Sequence, residues 1–77
     1  MPPLPVLKPR FVINALLQGG FYIHHQSGSH IRLIHETKPE LRVTVPVHSK
    51  DIPKGTLRRI IRQSGLTVEE FLQLLDC

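Results

Sequence analysis

From Pro9 to Gln18 the apolar residues Val12, Ile13, Leu16 and Leu17 recur at helical spacing. Pro9 suits the first turn of a helix, and Gly19-Gly20 ends the run. The period then changes. Phe21 to Gln26 alternates, with Phe21 and Ile23 on one face and Tyr22 and His24 on the other. Ser27-Gly28-Ser29 turns the chain, and His30 to Glu36 alternates again, setting Ile31 and Leu33 opposite His30 and Arg32. Beyond Thr37-Lys38-Pro39-Glu40, Leu41 to Val47 places Leu41, Val43, Val45 and Val47 on one side and Arg42, Thr44 and Pro46 on the other. Pro46 has no N–H to give a ladder, so it belongs at a strand end or on an edge.

Helical spacing returns near Asp51, which reads as an N-cap with Pro53 in the first turn, and the helix runs to Ser64 before Gly65. Leu57, Ile60, Ile61 and Ser64 form its inward stripe, Arg59 and Arg62 project outward, and Arg58 lies on a flank. A capping box from Thr67 to Glu70 opens a last short helix that buries Val68, Phe71, Leu72 and Leu75. The pattern predicts an α+β fold: a three-stranded antiparallel sheet with helices on its aliphatic face, in the order α-β-β-β-α, plus a short C-terminal helix. Pro2, Pro3 and Pro5 make residues 1–8 an extended arm ahead of a single domain over 9–77. Phe11 lies nearly opposite the apolar stripe of its helix, where it packs on the proline arm or meets a partner.

A chain of 77 residues has room for one modest core. The lone cysteine, Cys77, cannot form an intramolecular disulfide, which fits a reducing compartment. No apolar run reaches the ~18 to 20 residues of a membrane span, and Met1 to Lys8 lacks the features of a secretory signal, so the expectation is a cytoplasmic protein with no membrane partner. Charge sharpens this picture. Ten Lys and Arg against six Asp and Glu give a formal net charge of +4, and all ten basic residues precede Gly65. A basic body of this kind suits a polyanion or an acidic protein partner.

The side chain best suited to move protons near neutral pH is histidine, since an ordinary imidazole titrates at about 6.5. His30 stands at the start of a strand behind Gly28 and Ser29, where a missing side chain lets a sugar-phosphate backbone come close. RNA is cleaved without a metal when a base takes the 2′-hydroxyl proton and cations stabilise the charge gathering on phosphorus. The competing reading of His30 is a strand-edge histidine bonded to its own turn. Parity puts His24 with Tyr22, where it could reach His30 across the hairpin, and leaves His25 and His35 on the opposite face as structural or lateral groups. No closely spaced Cys and His pairs point to zinc, and no cofactor is implied. Ser29 neighbours His30 and should point to the other face, which argues against a serine nucleophile system. One Tyr, three Phe and no Trp make a poor stacking platform, leaving recognition of backbone and shape through Lys50, Lys54, Arg58, Arg59 and Arg62.

Three segments taken in order, Gly28-Ser29-His30, Arg42-Val43-Thr44-Val45-Pro46-Val47-His48 and Lys54-Gly55-Thr56-Leu57-Arg58-Arg59-Ile60-Ile61-Arg62-Gln63-Ser64-Gly65-Leu66, resemble the HicA (YcfA-like) family of small bacterial toxins. The resemblance spans roughly Lys8 to Leu75 and implies a double-stranded-RNA-binding-domain-like fold. It also implies an mRNA endonuclease with His30 catalytic, restrained by a HicB-like antitoxin. Gly28, Ser29, Arg32, His48, Lys50, Lys54, Arg58, Arg59 and Arg62 are then the residues expected to meet RNA, His48 as loop anchor or phosphate contact. The Thr37–Glu40 link is longer than the family's usual turn and lacks its glycine. Two other readings compete: a non-catalytic duplex-RNA-binding module of the same fold, and a small interaction protein that meets an acidic partner.

Overall fold

Proline and glycine bracket the first helix, α1 (Pro9–Gln18), in a computed structural model that describes residues 3–47 and 50–75. Lys8 is extended (φ −83°, ψ 155°) and Pro9 begins the helix, while the Gly19 N–H donates to the Ala15 and Leu16 carbonyls at 3.0 Å. Gly20 then turns the chain with φ 95°, a left-handed value that side chains resist. A Cβ there would also lie 2.9 Å from Nε2 of His35.

Three strands follow, β1 (Phe21–Ser27), β2 (His30–His35) and β3 (Arg42–Pro46), and they pair antiparallel in the order β1-β2-β3. Pro46 closes β3 on the sheet edge, as its missing donor requires. The longer β2–β3 link is held by a ring. His35 meets Phe21 edge-on at 5.1 Å, and its Nδ1 accepts the backbone N–H groups of Thr37 and Lys38 at 3.2 Å. His35 is therefore a structural histidine.

Phe21, Ile31, Leu33, Val43 and Val45 are buried on one face of the sheet. Val12, Ala15 and Leu16 from α1 close over them, with Leu57, Ile60 and Ile61 from α2 (Lys54–Ser64) and Phe71 from α3 (Val68–Leu75). α1 lies against β1 and β3, α2 against β3, and α3 against α1. The fold is α+β and double-stranded-RNA-binding-domain-like, with its short third helix backing the first. Leu4 also enters this core from the extended N-terminal arm, at 7 % exposure, and the Leu7 carbonyl accepts the Ile52 N–H at 2.8 Å.

The start of α2 departs from the sequence-based expectation. Pro53, not Asp51, occupies the N-cap, and its carbonyl accepts the Leu57 N–H at 2.9 Å. Asp51 precedes the helix by too much to reach its first free N–H groups, and lies 3.5 Å from Lys8 Nζ instead. At the other end Ser64 is buried but satisfied: its Oγ donates to the Ile61 carbonyl and accepts the Leu66 N–H at 3.2 Å. The capping box of α3 forms as the sequence predicts, Thr67 N–H to Glu70 Oε1 at 2.8 Å and Glu70 N–H to Thr67 Oγ1 at 3.0 Å. Phe11 is 45 % exposed beneath the Arg10 guanidinium, in a hollow with Leu17, Leu74 and Leu75. Among the described residues no helix is long and apolar enough to cross a membrane.

Candidate functional site

The β1–β2 hairpin closes with Ser27 opposite His30, so Gly28 and Ser29 alone make the turn. Neither has a positive φ, and a Cβ on Gly28 would meet nothing within 4 Å. Backbone geometry and packing therefore leave position 28 unconstrained, with open space around it. The turn is pinned from below by the Val47 N–H, which donates to the Ser29 carbonyl at 2.7 Å.

His30 is exposed, and its Nδ1 lies 2.9 Å from Ser29 Oγ. This corrects the expectation that the two side chains point apart. Strand alternation governs residues inside the ladder, whereas Ser29 is still in the turn, and its short side chain curls back onto the ring. This contact engages one ring nitrogen with the turn and leaves Nε2 without a hydrogen bond to it.

Two hollows meet at His30. One, of about 460 Å³, lies between the sheet and α2 and is lined by His30, Thr44, Pro46, Pro53, Thr56, Arg59 and Gln63. The other, of about 300 Å³, lies on the sheet face and is lined by His25, Ser27, His30, Arg32 and Thr44. Thr56, Arg59 and Gln63 share one flank of α2 by helical spacing. Gln63 Oε1 accepts the Thr44 N–H at 3.5 Å, tying that flank to the β3 edge. Each hollow thus holds an arginine beside His30, and among the described residues no carboxylate lines either.

The basic residues predicted from sequence divide into groups. Arg59 and Arg32 flank His30. Arg58 and Arg62 lie on the other flank of α2, in a separate hollow with Ile61, Leu66 and Glu69. Lys50 and Lys54 are exposed and line neither His30 hollow. His48 falls outside the described residues. Among the described residues no three Cys, His, Asp or Glu side chains gather as a metal site would require.

The histidines of β1 reverse the parity reading. Ile23 pairs with Leu33, but the next partners are His25 and Arg32, so His24 is the extra residue of a β-bulge. The bulge shifts the strand by one position and carries His25, rather than His24, to the face of Arg32 and His30. His24 stays beside Tyr22, ring to ring at 6.4 Å. Sequence reasoning also missed Thr44, Thr56 and Gln63 as wall residues, although the polar face of β3 and the spacing from Arg59 along α2 carried that signal.

No curated protein shows significant similarity to the chain. Residues 10–66, well over half of the chain, match the family described as HicA toxin of bacterial toxin-antitoxin.

Proposed function

Because the chain belongs to the HicA toxin family of bacterial toxin-antitoxin systems, we propose that it is a metal-independent endoribonuclease that cuts messenger RNA in the cytoplasm and is held in check by a HicB-like antitoxin. The observation that carries this reading is His30, exposed where two arginine-bearing hollows meet and steadied at Nδ1 by Ser29. His30 acts as the general acid or base through Nε2. If it is the base, it takes the proton of a ribose 2′-hydroxyl; the 2′-oxygen attacks the adjacent phosphorus, the bond to the 5′-oxygen breaks, and a 2′,3′-cyclic phosphate and a 5′-hydroxyl result once that oxygen is protonated. Arg59 and Arg32 neutralise the charge gathering on the phosphoryl oxygens. The open space at Gly28 admits the ribose-phosphate chain to the imidazole.

Inducible expression of the parent and of His30→Ala, without antitoxin, tests the reading. The parent should arrest growth and degrade messenger RNA, the variant should do neither, and both should melt alike, since His30 is exposed. Purified parent should keep its activity in EDTA. Duplex-RNA binding without cleavage by either protein would favour a non-catalytic binding module instead.

A further inference from the structure

We propose that His25 is the second proton-transfer group of this site, an inference that rests on the endoribonuclease reading above. Cleavage of a phosphodiester by its own 2′-hydroxyl moves two protons, one off the attacking oxygen and one onto the leaving 5′-oxygen. These oxygens lie on opposite sides of the phosphorus, so one imidazole in one place does not serve both.

The β-bulge at His24 supplies the partner. His25 stands directly opposite Arg32, and His30 opposite Ser27, so the two histidines are diagonal neighbours across the β1–β2 ladder. Such positions are roughly 7 to 8 Å apart at the backbone, within reach of long side chains. Both rings line the same sheet-face hollow, with Arg32 and Thr44 completing its wall. A phosphate seated in this hollow therefore meets Arg32 together with both imidazoles, His25 from across the ladder and His30 from two residues along β2. Among the described residues the charged groups facing the pair are Arg32 from β2 and Arg59 from α2 across the adjoining cleft, and no carboxylate lines either hollow. The balance is complete within the substrate and the two rings: one histidine accepts the 2′-hydroxyl proton, the 2′-O–P bond forms, the P–O5′ bond breaks, and the other histidine gives its proton to the 5′-oxygen. No water or further reactant enters this step.

The test compares single-turnover cleavage of a short RNA by the parent, His24→Ala, His25→Ala, His25→Arg and His30→Ala. His25→Ala and His25→Arg should each slow cleavage by about 10² to 10⁴, the usual contribution of a positioned acid or base, because arginine supplies a cation that neither gives up nor takes a proton near neutral pH. His24→Ala should stay within twofold of the parent. The pH–rate profile should lose one limb in His25→Ala. A substrate with sulfur in place of the scissile 5′-oxygen, which leaves as a thiolate without protonation, should restore the rate of one of the two alanine variants, His25→Ala or His30→Ala, and not the other. Full activity of His25→Arg would reduce His25 to a phosphate-binding cation, and activity of His25→Ala within threefold of an active parent would remove it from the mechanism; either result overturns the proposal. A parent that cleaves no RNA would sink the endoribonuclease reading itself, and this inference with it. His25 is exposed on an edge strand, so unchanged melting is expected for every variant and separates chemistry from folding.

Discussion

Replacing Leu4 with alanine tests whether the proline-rich arm belongs to the folded unit. Read by sequence, residues 1–8 are an extended arm outside the domain, and truncating a side chain there should cost nothing. In the structure Leu4 is 7 % exposed and part of the core, whereas Val6, two positions on, is 67 % exposed. Deleting a buried leucine to its β-carbon costs about 2 to 5 kcal/mol. The lower half of that range applies, because an arm without helix or strand can settle into part of the space that is left. A domain of this length holds about 4 to 12 kcal/mol in all, so a loss of ~2 to 3 kcal/mol is a large fraction. At roughly 4 to 8 °C per kcal/mol for small domains, Leu4→Ala should lower Tm by about 8 to 24 °C. Val6→Ala should change stability by less than ~0.5 kcal/mol. The half-exposed Lys8–Asp51 pair cannot substitute for the lost contact, being worth at most ~1 kcal/mol. Thermal denaturation followed by far-ultraviolet circular dichroism gives both values. Equal Tm shifts in the two variants, or a shift under about 2 °C in Leu4→Ala, would refute the arm's place in the core.

Two further predictions concern the basic surface. Arg59→Ala should slow RNA cleavage by about tenfold to a hundredfold, the loss of one charge-assisted phosphate contact, while Arg62→Ala, on the other flank of α2, should change it less than twofold; matching effects in single-turnover assays would mean that the His30 cleft gives Arg59 no special role. An antitoxin that covers the site should protect His30 from acylation by diethyl pyrocarbonate and raise Tm, and equal modification of the free and bound chain, read by mass spectrometry, would show that inhibition leaves the imidazole open.

Where a local signal and the tertiary structure point the same way, the chain was readable from its letters. Pro9 and Gly19 mark the ends of α1, the Thr67–Glu70 box opens α3, and the stripe of Leu57, Ile60, Ile61 and Ser64 is buried along α2. Three features were not readable, each for a physical reason. Asp51 is a good capping residue by type, but the helix begins at Lys54, after Pro53 has taken the cap. Ser29 escapes strand alternation because it still belongs to the turn. The bulge leaves no mark of its own in the run Phe21 to Ser27, since an extra residue in one strand is defined only against its partner. That single step of register decides which of two adjacent histidines stands with His30. The place of His30 at the start of β2 was legible, whereas the division of the arginines between two flanks of α2 needed the packing of that helix on β3.

The cleft beside His30 has one wall on the central strand and the other on a helix from the second half of the chain, joined through the β3 edge by Gln63. A ribosome-bound chain that has emerged only as far as β3 carries its imidazole but none of α2. Under the proposed function, the complete cleft therefore exists only once α2 has been made and has docked on β3. A chain that ends before α2 lacks the wall that carries Arg59, and the proposed antitoxin would find both walls of the cleft only in the folded domain.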